Sequence, residues 1–497
     1  MATTFPAWRL LLILYTGLLA GCAVGPDFQR PPPPAAEGYT AQEQPAQTVT
    51  AENELGTAQR FIAGAAPDAA WWHAFGSPEL DALIERALQS SPTLEAAQAT
   101  LRQAQHLYEA HAGATQLPQV NATAGAQRQQ VNNIAAGQTG GERTYSLYHA
   151  GVGVSYNLDL FGGNRRALEA LAARAEYQRF QHEGARLTLA ANVVTTAVIQ
   201  AQLAAQIEAS TASLAAQEAQ IEITRQRFAL GAAARNDVLA LQTLVEQTRA
   251  GIPALQTEHD RLTHLLAVLA GQPPGAAGMP AFTLADFTLP SELPVSLPSE
   301  LARRRPDIQA AEALLRAANA EYGTAVSRLY PQITLSADAA SQALTSAGLF
   351  GSGTLVWGLA GQLTQPLFHG GLRDEARAAQ AGFDAAAAHY RETVLQALRN
   401  VADVLRALDN DARILAAQAA ASNAAQESLA LVQQQYELGA ASYLQLLIAR
   451  QQFQQTRREL IAAQARRLTD TAALYQAMGG GWLPAEPVGL TGKEASR

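Results

Sequence analysis

A thiol, two histidine pairs, a glycine-rich loop and scattered carboxylates are the groups in this 497-residue sequence that could do chemistry. His106 and His111, like His259 and His264, are five residues apart, which turns each pair off one helical face. Neither pair has the His-Glu-x-x-His spacing that holds a metal on a helix. Gly348-Leu349-Phe350-Gly351-Ser352-Gly353 falls in a hairpin loop rather than between a strand and a helix, so no helix N-terminus stands behind it to cradle a phosphate. The carboxylates are dispersed along helical segments, where solvation accounts for them. No nucleophile, base and orienting group converge, and we expect no enzyme, no cofactor and no metal site. A formal net charge of −8, with lysine confined to Lys493, argues against nucleic acid as a partner.

The thiol is different. Cys22 is the only cysteine, so no internal disulfide can form. It follows Trp8-Arg9, an apolar run from Leu10 to Leu19, and Ala20-Gly21. A run of about ten apolar residues is too short to span a bilayer and fits a signal-peptide core. Leu19-Ala20-Gly21-Cys22 resembles the bacterial lipobox, whose cysteine is diacylated and becomes the mature N-terminus. We therefore expect 1–21 to be a lipoprotein signal peptide, with a diacylglycerol and an N-acyl chain on Cys22. Ala23, where inner-membrane retention usually needs Asp, implies export to the outer membrane. Residues 22–70 are rich in Pro, Gln and Ala, with Pro31 to Pro34 in a row, and read as an extended tether with little core of its own.

The elements that follow are written twice. Phe228-Ala229-Leu230-Gly231-Ala232 lines up with Tyr436-Glu437-Leu438-Gly439-Ala440, about 208 residues on, a period far longer than that of solenoid modules. The first repeat covers 71–270 and the second 300–478, joined by a proline-rich linker over 271–299 and followed by a tail from 479 to 497. Each opens with short helices and then changes period from 3.6 to 2. In 118–161, Tyr148, Val152, Val154 and Tyr156 alternate with His149, Gly151, Gly153 and Ser155. In 331–366, Ile333, Leu335, Ala337 and Ala339 alternate with Gln332, Thr334, Ser336 and Asp338. Strands of about ten residues with one apolar face suit either a soluble hairpin or a transmembrane strand. Four strands cannot close a barrel and an open edge is not viable in lipid, so spanning strands demand that several chains pool them.

Proline is absent from Gln119 to Ile252 and from Leu367 to Leu483. Long helices are expected over 164–230 and 372–438, each about 100 Å long, with return helices over 236–270 and 444–478. Gly231 and Gly439 stand where a left-handed C-terminal cap belongs. Ile207, Leu214, Ile221 and Phe228 recur every seven residues, the spacing of supercoiled packing.

Cys22-Ala23-Val24-Gly25-Pro26-Asp27-Phe28, Trp71-Trp72 before Leu80-Asp81-Ala82-Leu83-Ile84, the block from Leu293 to Leu301 running into Arg303-Arg304-Arg305-Pro306-Asp307-Ile308, and Met478-Gly479-Gly480-Gly481-Trp482 together resemble outer-membrane lipoproteins of tripartite resistance-nodulation-division (RND) efflux systems. The likeness covers essentially the whole mature chain. It implies an α+β membrane protein: a homotrimer whose four strands per chain make a barrel of about twelve strands in outer-membrane lipid, continued by a periplasmic α-helical coiled-coil barrel. It also implies two protein partners, a periplasmic membrane fusion (adaptor) protein and an inner-membrane RND transporter. The tip turns Leu230-Gly231-Ala232 and Leu438-Gly439-Ala440 would contact the adaptor. By position Leu444 matches a hydrophobic constriction residue, and Tyr436 and Ile448 are further candidate gate residues. Ile448 stands where many relatives carry an Asp, and Ala449-Arg450 where Ala-Gln-Arg is usual, which puts a carboxylate gate from the second repeat in doubt. Asp237 is a candidate acidic gate residue, or a first-turn residue favoured by the helix dipole.

The function expected is a passive exit duct for small molecules leaving an efflux pump. A type I secretion channel for polypeptides and a pore-less coiled-coil lipoprotein are the alternatives.

Overall fold

The computed structural model describes residues 24–32, 38–42, 44–132 and 141–481. Cys22, the signal segment before it and the tail from Trp482 lie outside these described residues. The helices are α1 (Pro78–Ser90), α2 (Pro92–Gln116), α3 (Gly163–Ala229), α4 (Arg235–Leu269), α5 (Pro298–Arg304), α6 (Pro306–Ser327), α7 (Leu372–Glu437) and α8 (Tyr443–Ala477). The strands are β1 (Arg60–Ala63), β2 (Gln119–Asn132), β3 (Glu142–Leu158), β4 (Glu292–Val295), β5 (Gln332–Ala343) and β6 (Leu355–Thr364). α3 has 67 residues and α7 has 66, and α4 and α8 have 35 each. The chain divides into two compact units: residues up to 31 with 100–178 and 311–390, and residues 32–99, 179–310 and 391 onward.

The first unit is built around one antiparallel sheet ordered β2-β3-β5-β6. Each repeat supplies a hairpin, and the hairpins join through β3 and β5, in register from Tyr148 opposite Ala343 to Leu158 opposite Ile333. Period-2 alternation then sorts the side chains. Val120, Val152, Leu335, Leu355, Trp357, Leu359 and Leu363 fall on one face, and all are exposed. The other face carries Asn121, Thr123, Ser155, Asn157, Thr334, Ser336 and Gln362. The residues after Cys22 are docked in this unit. Val24 N donates to Phe161 O (3.1 Å), Asn319 Nδ2 donates to Pro26 O (3.0 Å), and buried Arg166 pairs with Asp27 (2.6 Å). Arg30 pairs with Glu312 at 2.8 Å.

The core of the second unit is aromatic. Trp71, Phe75 and Tyr475 pack together, with Trp71 stacked on Tyr475 at 5.3 Å between centroids, beside Val193, Val194, Ala197 and Leu468. The tether reading is corrected here too. β1 pairs in parallel with β4, which lies in the proline-rich linker. Arg467 of α8 is fully buried and donates to Leu55 O (2.9 Å), Thr57 O (3.2 Å), Gln59 Oε1 (2.9 Å) and Thr48 Oγ1 (3.3 Å). Burial pushes its pKa down to about 10, with the Asp411 carboxylate opposing the shift. Pro294 interrupts the strand pattern of β4, but a two-strand ribbon needs donors only on its paired edges.

The heptad seam also needs correction. In α3 the buried positions along its C-terminal part are Ser213, Gln217, Ile221 and Thr224, whereas Leu214 is half-buried and Phe228 is exposed. Gln217 Nε2 donates to Ser213 Oγ (3.0 Å) and Thr224 Oγ1 to Gln220 O (2.9 Å), so polar groups that donate within their own helix occupy the seam, with Gln217 Oε1 buried and unpartnered. In α7 the matching stripe is Leu415, Ala419, Ser422 and Ala425. Small residues bring the backbones close and leave no room for larger ones.

Candidate functional site

The two tip turns are built alike. Gly231 and Gly439 both have φ +77°, a conformation that costs a glycine nothing. Ala232 N donates to Arg227 O (2.7 Å) and Gly231 N to Phe228 O (2.9 Å); Ala440 N donates to Gln435 O (2.8 Å) and Gly439 N to Tyr436 O (3.1 Å). These bonds close a Schellman motif at the end of α3 and of α7. Leu230 and Leu438, the residues before the glycines, project into solvent at 83% and 78% exposure, and Ala232 and Ala440 are exposed beside them.

The turns differ at the helix starts beyond them. In the second repeat Ser442 and Gln445 form a reciprocal capping box: Gln445 N donates to Ser442 Oγ (3.3 Å) and Ser442 N to Gln445 Oε1 (2.7 Å). In the first repeat Ala234 has no side chain to offer, and half of the box survives as Ala234 N donating to Asp237 Oδ2 (3.2 Å). Asp237 and Gln445 are repeat equivalents and both cap. The carboxylate also sits where the α4 dipole favours negative charge.

The four long helices meet above the turns. Ile221 of α3, Leu241 of α4 and Tyr443 of α8 are buried together, with Tyr436 of α7 against them. The Tyr436 and Tyr443 rings meet edge to face at 6.1 Å, and the Arg227 guanidinium lies 5.3 Å over Tyr436. Burial pushes the Tyr443 phenol up to about 12, and its hydroxyl is buried without a hydrogen-bond partner. Arg450 enters from α8, with Nη2 3.5 Å from Gln220 Oε1 and Nη1 buried and unpartnered; burial holds its pKa below the usual arginine value. A cavity of about 450 Å³ opens beside it, lined in part by Gln217, Phe453 and Arg457.

Leu444 and Ile448, one helical turn apart on α8, are on a different face from this cluster, at 62% and 57% exposure. The structure thus brings Tyr436 into the packed cluster, puts Asp237 at its rim, and leaves Leu444 and Ile448 as an uncovered apolar pair. Tyr443 and Arg450 are the residues that sequence reasoning missed as a buried group. The one signal for them was the displaced arginine in Ala449-Arg450.

A family model described as outer membrane efflux protein matches residues 83–272 and 297–480. The pyoverdine export outer membrane protein OpmQ of Pseudomonas aeruginosa is 35% identical over 444 residues, covering 85% of this chain and 90% of its own. The toluene efflux pump outer membrane protein TtgI of Pseudomonas putida is 30% identical over 472 residues, covering 94% and 96%. The solved outer-membrane channel OprN has a TM-score of 0.83 at 27% identity, over 93% of this chain and 100% of that one. With its family match over both repeats and relatives aligned along nearly their whole length, the chain belongs to the outer membrane efflux protein family.

Proposed function

We propose that this protein is the exit duct of a tripartite efflux pump, a homotrimer that passively conducts small molecules out through the outer membrane. The observation that carries this reading is the four-stranded sheet with an exposed apolar face and two unpaired edges, β2 and β6. Lipid leaves no water to satisfy those edges. Three copies joining β2 to β6 would close a barrel of about twelve strands with the apolar face outward. Val24, two residues after Cys22 in sequence, is bonded to Phe161 just beyond the end of β3. Acylation of Cys22 would add a lipid anchor to the barrel. The exposed tip leucines Leu230 and Leu438, with Gly231, Ala232, Gly439 and Ala440, form the surface offered to a periplasmic adaptor coupled to an inner-membrane RND transporter.

Leu444 and Ile448 supply an apolar constriction in this reading, and opening moves α7 and α8 at the tip. Such a gate needs two states that the adaptor distinguishes energetically. The names of relatives carry different cargoes, pyoverdine and toluene, and in this reading cargo selection lies in the pump rather than in the duct. Conductance of the purified trimer in planar bilayers tests the gate. Wild type should stay largely shut and Leu444→Ala should open; identical traces would remove Leu444 from the constriction.

A further inference from the structure

The polar face of the sheet carries a single carboxylate among the described strand residues, Asp338. It stands in the middle of β5 on a rung that reads Asn121, Gly153, Asp338, Gly358 across the four strands. Both of its direct neighbours are glycines. A Cβ at Gly358 would come 3.0 Å from Asp338 Oδ1, so the carboxylate lies over the bare backbone of β6. Gly153, on the other side, leaves open space. His149 is treated alike on a nearby rung between Gly125 and Gln342, and a Cβ at Gly125 would run into its ring. The rest of this face is Asn, Thr, Ser, Gln, Gly and apolar residues, with Tyr145 and Leu147 toward the start of β3. The nearest fixed positive charge on it, Arg143, is ten residues along β3 from the Gly153 rung. At roughly 3.3 Å per residue that is over 30 Å, several Debye lengths at physiological salt.

We propose that Asp338 sets the charge preference of the duct: three copies form a carboxylate ring on the wall of the barrel lumen, which favours cations and cationic cargo over anions at the exit. The inference rests on the trimeric barrel, which turns the polar face inward. Charge rings of this kind select by electrostatics at close range, and low-dielectric walls focus the field of few charges. The flanking glycines let each carboxylate lie against the wall, so the ring biases charge without narrowing the pore. At the tip, Ile448 is apolar and Asp237 is engaged as a cap.

The test is the reversal potential of the full-length lipoprotein in planar bilayers under a potassium chloride gradient, recorded with the wild-type tip and with Leu444→Ala. Cation preference should be present in the parent, be lost in Asp338→Asn, and persist in Arg143→Gln. A reversal potential unmoved by Asp338→Asn overturns the assignment. A second readout is labelling of Asp338→Cys on intact cells by a charged, membrane-impermeant thiol reagent, with Trp357→Cys from the opposite face as the comparison. Labelling of the first and not the second supports the lumenal placement; the reverse pattern, or labelling of neither, overturns it. Loss of conduction by every form, with Asp338→Cys unlabelled, would instead remove the pore reading itself.

Discussion

Replacing Arg467 with Met should release the segment 44–63 from α8 while leaving the long helices intact. The side chain is fully buried, and Met roughly keeps its apolar volume but supplies no donor. Leu55 O, Thr57 O and Gln59 Oε1 would each lose a donor inside the protein. At roughly 1–3 kcal/mol for each orphaned acceptor, the gross cost is about 6 kcal/mol. The variant also escapes the desolvation that lowers the arginine pKa to about 10, worth about 3 kcal/mol at 1.4 kcal/mol per unit. The difference, about 3 kcal/mol, raises the population of the locally opened segment about a hundredfold. Amide hydrogen exchange followed by mass spectrometry reads that population directly. The amides of Thr48 and Phe61, now bonded to Gln59 O and Ala46 O, should exchange about a hundred times faster, with amides in the middle of α3 and α7 unchanged. Arg467→Lys should fall between. Unchanged exchange over 44–63 would refute the staple, and faster exchange everywhere would show that Arg467 supports the whole helical unit instead.

Three further outcomes are expected. Asp411 is buried and shares its site with Asp470, so burial first and that neighbour second hold its pKa far above the carboxylate range, against the pull of Arg466 and Arg467. The unfolded chain ionises near pH 4, so the stability carried by the protonated pair is full below that pH and is lost as pH rises into the neutral range. Asp411→Asn should therefore stabilise the protein at pH 7.5 (roughly, in the usual working range) and do little in acid, as measured by denaturant unfolding at both. Asp237→Asn keeps an oxygen for Ala234 N and should leave stability within about 0.5 kcal/mol; a large change in bilayer conductance would make Asp237 a gate residue as well as a cap. Cys22→Ser should abolish incorporation of labelled palmitate, and unchanged labelling would rule out Cys22 as the acylated residue.

The parts of the fold legible in the sequence are those governed by local rules. Windows without proline bounded by Gly231 and Gly439 mark helices, and alternation around Tyr148 or Leu335 marks strands. Partner choice is not local. Nothing in the alternation says that β3 should pair with β5, since either hairpin could stand alone with the same pattern. The docking of 44–63 on α8 uses one buried arginine among several, and the neighbour of Arg467, Arg466, has the same chemistry without the burial. The seam of α3 was misread because heptad reasoning ranks Phe228 above Gln217, while close packing against alanine favours a polar side chain that can bond within its own helix. At the tip, glycine and leucine identified the turns, but the burial of Tyr443 and Arg450 depends on three other helices.

The parallel pairing of β1 with β4 changes what the linker means. A strand that precedes the first repeat clasps one that lies between the repeats, and the aromatic core beneath draws Trp71 from one half, Tyr475 from the other, and Phe282 and Phe287 from the linker itself. The peptide bonds across the exposed stretch from Pro273 to Gly278 are then redundant for holding the halves together. A protease nick there would go unnoticed in the assembled protein, and two separately translated fragments should find each other. The two halves need not be joined for the assembly to hold; one continuous chain guarantees equal numbers of each.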